Sequence, residues 1–173
     1  WGVLDEVVNY LEDEPLEPDE HDRFSIPKVS EEKGSIYDHC VRSIERAMNF
    51  GSRGLPLMGG GDWNDGMDKV GIKGKGESVW LGWFLYTVVQ HFIPVCRAKE
   101  DNERANRYEE TTKEMVAAIE KHAWDGAWYR RAFFDDGTPL GSETNEECRI
   151  DSISQSWAVI SGGAREERAK VAL

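Results

Sequence analysis

Three acids, an amide and an indole fall within seven positions of this chain, Asp62 to Asp68, in the segment GGGDWNDGMD (residues 59–68). A carboxylic acid beside an indole suits sugar chemistry. Trp63 can stack on a pyranose face and lower the local dielectric. That raises the pKa of a neighbouring acid, which then stays protonated near neutrality and can protonate a glycosidic oxygen. Asp62 and Asn64 can hydrogen-bond sugar hydroxyls or hold the loop. The bland reading of the same residues is an Asx-rich turn. Two other chemistries fail on spacing. Counted from Asp62, an EF-hand needs Gly at position six and Glu at twelve, but Gly66 falls at five and Lys73 at twelve. A phosphate loop needs Lys after its last Gly, and GIKGKGES places Glu77 there. No metal site is expected.

The segment lies in a stretch, Gly51 to Gly76, that holds nine of the seventeen glycines. Such backbone can approach a ligand closely and take positive φ, and it does not sustain a helix. A long irregular stretch inside a domain is usually functional. Helices must position it. Ser35 reads as the N-cap of a helix over 36–50, with an apolar stripe from Ile36 through Val41, Ile44 and Met48. His39 reads as packed or capping. Glu77 to about Cys96 reads as a helix apolar nearly all round, as expected deep inside a helical array. Asn102 to Ala123 is amphipathic, with Tyr108, Met115 and Ile119 inward. AWYRRAFFDDGTPLGS reads as a hairpin turning at DDG. Ser154 to Ser161 is a short helix ended by Gly162 and Gly163, with Trp157 in the core, and a last helix starts near Ala164. Residues 12–34 read as a loop, its acids (Glu12, Asp13, Glu14, Glu17, Asp19, Glu20, Asp22) forming a solvated rim or, for one of them, touching sugar. The expected class is all-α with a scrap of strand.

Composition narrows the partners. Twenty-one Lys and Arg against 33 Asp and Glu leave a net charge of −12 over 173 residues, which repels nucleic acid and anionic lipid. Seven Trp and five Tyr fit either a sugar binder or a large aromatic core. Cys40, Cys96 and Cys148 are odd in number and far apart, so neither a disulfide scaffold nor a zinc ribbon fits, and a reducing compartment is the simplest setting. The longest apolar run, Val79 to Val89, is interrupted by Gly82 and reads as too short to span a bilayer. The chain opens at Trp1 and closes at Leu173 inside running patterns, so a fragment is expected. The apolar helix of such a fragment would leave a bare flank, which favours a homodimer.

The segments LPLMGGGDWNDGMDKVG, KGKGESVWLGWFLY, AWDGAWYRRAFFDDGTPLGS and ECRIDSISQSWAVISG resemble glycoside hydrolase family 94, the inverting glycoside phosphorylases. Their wording is most similar to the phosphorylase-type domain of cyclic β-1,2-glucan synthases, and the resemblance covers nearly the whole chain, YLEDEPLEPDEHDRFSIPKVSEE included. It implies an (α/α)6 barrel, of which this chain would form about half, as one truncated domain over 1–173. It implies Asp65 as general acid, with Asp62 and Trp63 shaping the donor-sugar subsite. It also implies inorganic phosphate as co-substrate and no cofactor. An inverting hydrolase needs two carboxylates, one to activate water, whereas phosphate is already an anionic nucleophile and one acid suffices.

One departure stands out. Cellobiose-type members carry a phosphate-binding Arg on the helix after the glycine loop, and WLGWFLYTVVQHF has none. Other phosphate ligands and the donor-site arginines are expected outside Trp1 to Leu173. Lys73, Lys75, Arg130 and Arg131 qualify by charge alone and read first as surface residues. Asp151 and Gln155 share a helix face if the helix begins that early, and either touch sugar or serve as caps. The expected function is inverting phosphorolysis of a β-linked glucan, β-1,2 first, giving α-glucose 1-phosphate. The expected setting is cytoplasmic, including the cytoplasmic part of a larger inner-membrane protein. The rivals are a non-catalytic glucan-binding domain and an inverting α/α-barrel hydrolase.

Overall fold

The computed structural model describes residues 2–17, 20 and 23–172. Trp1, Asp19, Asp22 and Leu173, about which the sequence raised expectations, lie outside the described residues. The chain divides into two compact units, residues 1–47 and 48–173.

The first unit holds β1 (Val7–Glu12), β2 (Lys28–Ser35) and α1 (Ile36–Ala47). β1 and β2 pair antiparallel from Val7–Ser35 to Glu12–Lys28, with an irregularity between Asn9 and Leu11. The loop expected over 12–34 is thus corrected at its end, where 28–35 is a strand. Ser35 caps α1 as expected. The Asp38 amide donates to Ser35 Oγ at 3.1 Å, and Asp38 Oδ2 accepts from the Ser35 amide at 3.0 Å, a reciprocal capping box. His39 stacks on Tyr10, with ring centroids 3.8 Å apart.

The second unit contains the glycine loop, β3 (Glu77–Ser78), α2 (Val79–Ala98), α3 (Asn102–His122), β4 (Ala132–Phe133), β5 (Pro139–Leu140), α4 (Ser152–Ile160) and α5 (Glu166–Ala172). The DDG hairpin forms as β4–β5. Its third strand is β3, paired antiparallel to β4, so Glu77 and Ser78 are strand and not the first turn of the helix. The expected helical fragment with its short hairpin is present, and the hairpin gains a third strand while β1 and β2 add a second small antiparallel sheet. Ser78 then caps α2 by accepting from the Leu81 amide at 3.1 Å.

Leu55, Val79, Trp83, Ile119, Ala123, Tyr129, Phe133 and Ala158 form the main core. Gly82 admits α3 closely, since a Cβ there would stand 3.0 Å from Ile119 Cδ1. α2 runs on past the apolar stretch seen in sequence. Over its 20 residues it is long and apolar enough to cross a membrane by length and composition. Val79, Trp83, Val89 and Cys96 are nonetheless fully buried in the unit's own packing. Trp157 is half-buried at the core edge and not inside it.

Candidate active site

The glycine loop is built on the hairpin. Met58 and Val70 from the loop close a second apolar cluster with Ala132 of β4. The return of the loop is held by Asp135 in the hairpin turn, whose carboxylate accepts the amides of Lys73 (2.9 Å), Lys75 (2.8 Å) and Gly76 (3.0 Å). Burial would raise the Asp135 pKa, but these amides outweigh it and hold the carboxyl below its ordinary value. Gly76 has no alternative, because a Cβ there would lie 2.3 Å from the Val70 carbonyl oxygen. Next to it Glu77 is fully buried. Its carboxylate accepts from the Arg53 amide (2.9 Å), the Leu55 amide (3.3 Å) and Arg53 Nη1 (2.9 Å).

At the tip the two ends of DWND part company. The Asp62 carboxylate turns inward and is fully buried. Its Oδ1 accepts from Arg131 Nη2 at 2.8 Å and from the Asn64 amide at 3.2 Å. Its Oδ2 lies 2.7 Å from Arg131 Nη1 and accepts from the Ser78 hydroxyl at 2.8 Å. Burial would raise its pKa, but the hydrogen bonds from Arg131 and Ser78 and the guanidinium charge more than offset this, and Asp62 sits below the ordinary carboxyl value. The Ser78 hydroxyl thus donates to Asp62 while accepting from Leu81 and from Arg131 Nη1 at 3.2 Å, its full capacity.

Asp65 opens a single 3-10 turn, Asp65–Met67, capped by Asn64, whose Oδ1 accepts the Gly66 amide at 3.0 Å. Asp65 is exposed. Trp63 is 62% exposed and meets Trp80 edge-on at 6.4 Å. Behind Trp63 the aromatic surface continues through Phe84, stacked on Trp80 at 5.4 Å, and Trp157, edge-on to Phe84 at 5.3 Å. An apolar face beside an exposed carboxyl can seat a sugar ring and present a proton to its substituent.

The remaining expected residues divide. Asp151 caps α4 by accepting the Ile153 amide at 2.9 Å, and its other oxygen stands 3.6 Å from Arg131 Nε. Arg131 therefore brings Asp62 and Asp151 together. Gln155, expected either at the sugar or in a capping role, is buried. Its Oε1 accepts the Tyr129 amide at 2.7 Å, and its Nε2 donates to the carbonyls of Tyr129 (2.6 Å) and Asp151 (2.9 Å). Lys73 and Lys75 are exposed, as expected. Arg130 is half-buried, bonded to the His122 carbonyl at 2.9 Å and to Asp125.

Arg131 overturns the surface reading, at 1% exposure. Arg131 directly precedes β4, and Ala132 and Phe133 after it are buried as well, so no alternation in the sequence marked it. No cluster of three or more His, Cys, Asp or Glu suited to a metal occurs among the described residues.

Comparison with known proteins places these segments. The family model "Glycosyl hydrolase 94 superfamily, catalytic domain" matches residues 2–173. Cyclic beta-(1,2)-glucan synthase NdvB of Rhizobium meliloti (strain 1021) is 47% identical over 167 residues, covering 96% of this chain and 6% of that protein. A 3-O-beta-D-glucopyranosyl-beta-D-glucuronide phosphorylase of Paenibacillus borealis is 38% identical over 142 residues, covering 82% of this chain and 18% of the relative. Solabiose phosphorylase of the same organism is 35% identical, covering 83% and 19%. The chain thus spans a fifth or less of the length of these relatives. Among solved structures, the GH78 family rhamnosidase of Bacillus sp. GL1 superposes with a TM-score of 0.62 at 18% identity, over 79% of this chain and 14% of that one, a likeness of fold alone.

Proposed function

The chain belongs to the glycosyl hydrolase 94 superfamily, and on that premise we propose that it forms part of the site of an inverting phosphorylase acting on β-linked glucan, β-1,2-linked first of all. The observation that carries the reading is the split at the loop tip. Asp62 is buried and ion-paired, which leaves Asp65, exposed beside Trp63, to meet the substrate. Trp63 takes a sugar face. Asp65 donates its proton to the glycosidic oxygen as the bond from the anomeric carbon breaks. A phosphate oxygen forms the new bond from the opposite face. The products are α-glucose 1-phosphate and a glucan shortened by one unit, and Asp65 regains its proton from water.

The β-1,2 preference rests on the likeness to the NdvB protein, and the phosphate requirement on the phosphorylase relatives. Completion of an (α/α)6 barrel, a homodimer and a cytoplasmic setting, including the cytoplasmic part of an inner-membrane protein, belong to the same proposal. The test is a phosphorolysis screen of the full-length protein on β-1,2-, β-1,3- and β-1,4-glucans. Glucose 1-phosphate formed from the β-1,2 glucan supports the reading. Product from another linkage alone removes the β-1,2 assignment, and free glucose formed without phosphate removes the phosphorylase.

A further inference from the structure

Arg131 is the buried cation on which the loop tip converges, and it touches no residue that the proposed chemistry consumes. Its guanidinium reaches Asp62 at 2.7–2.8 Å, Ser78 at 3.2 Å and Asp151 at 3.6 Å. A relay of bonds runs onward from it. Asp62 Oδ1 accepts the Asn64 amide, and Asn64 Oδ1 accepts the Gly66 amide, so the backbone of Asp65 is bracketed on both sides. We propose that Arg131 is a positioning residue that acts through Asp62 to place Asp65 against the substrate, while tying the start of α4 to the same point through Asp151. This rests on Asp65 being the proton donor. A planar guanidinium is required, because one ammonium cannot span both Asp62 oxygens and also reach Ser78 and Asp151. General acid catalysis is sensitive to such placement. A shift of about 1 Å can cost on the order of 100-fold in rate.

The groups facing Asp62 are Arg131 from the hairpin, the Ser78 hydroxyl from the start of α2, Asn64 from its own loop and, through Arg131, Asp151 from the start of α4. Removing the cation leaves a buried carboxylate with no counter-charge, and it takes up a proton more readily.

The test uses the full-length protein and three variants: Arg131→Gln, Asp62→Asn and the double variant. Hydrogen exchange over residues 59–70 is read beside phosphorolysis kinetics. For Arg131→Gln the proposal expects exchange in the loop to speed up about tenfold or more, with α3 unchanged as an internal control. It expects kcat to fall on the order of 100-fold with KM nearly constant. The acid-side fall in kcat should move toward neutrality, and this movement should vanish in the double variant, which has no carboxylate at position 62. Asp62→Asn should loosen the same loop peptide, which keeps the test open if Arg131→Gln fails to fold. Unchanged loop exchange in both single variants would overturn the proposal. So would a rise in KM at constant kcat, which makes Arg131 a direct ligand, or a pH movement that persists in the double variant. If the wild-type protein performs no phosphorolysis, the proposed function falls, while the exchange result still decides whether Arg131 sets the loop.

Discussion

The tip of the glycine loop and its return carry similar residue types into opposite environments. At the tip, Trp63 is 62% exposed and Asp65 is exposed, beside the Asn64 turn and the edge of Trp80. At the return, Glu77 and Ser78 are fully buried, and every amide from Lys73 to Gly76 except that of Gly74 donates to the Asp135 carboxylate. The acids of the return hold backbone in place, whereas at the tip Asp65 is open to a ligand and Asp62 is buried against Arg131. The contrast teaches that residue type alone does not assign these carboxylates. Asp62 and Asp65 stand three positions apart in one motif, and only burial and the partner Arg131 separate their work.

The contrast separates kinetic from structural effects, and substitutions can break it. Asp65→Asn should lower phosphorolysis by about two to four orders of magnitude and leave the melting temperature unchanged, since the residue is exposed. A variant that melts early would move Asp65 to the structural side. Glu77→Ala should do the reverse. It leaves Arg53 Nη1 and two amides without their acceptor, and leaving such buried donors unsatisfied costs on the order of 1–3 kcal/mol. Chemical denaturation should register that loss, and unchanged stability would show that the return does not anchor the loop.

Trp63→Ala should weaken sugar binding by roughly 1–3 kcal/mol through lost stacking area. Calorimetric titration with oligosaccharide reads this, and unchanged affinity would make Trp63 a packing residue. The smallest effect concerns acid. Asp62 has its folded pKa below the ordinary 3.8. Its contribution to stability is therefore present above that value and is lost as pH falls through the lower folded value. Thermal melts on going below about pH 4 should decline less steeply in Asp62→Asn than in the wild type. Parallel declines would remove Asp62 from the acid-sensitive set.

Much of this was legible in the sequence where one physical rule acted alone. The Ser35 cap, the apolar face of α3 and the DDG turn are local signals, and the elements follow them. β2 was missed because its burial does not alternate. In KVSEEKGS only Ser30 is buried, and Val29 is 69% exposed, so no period-two apolar pattern marks the strand. β3 was missed because two residues carry no periodicity, and Glu77 looks like a helix start until β4 pairs with it. The DWND motif singled out the candidate loop, but which of its acids faces outward depends on Arg131, sixty-nine positions away. A pair of adjacent arginines does not announce which one is buried. Arg131, Ala132 and Phe133 are buried in succession, so no period-two pattern carried that information.

The central claim is that Asp65 protonates the leaving oxygen while phosphate attacks. It is tested most directly by following α-glucose 1-phosphate from β-1,2-glucan with the full-length wild type and Asp65→Asn, each with and without inorganic phosphate. The account predicts product from the wild type only when phosphate is present, and a loss of at least about 100-fold in Asp65→Asn. Near-normal product from Asp65→Asn, or glucose released by the wild type without phosphate, would contradict it.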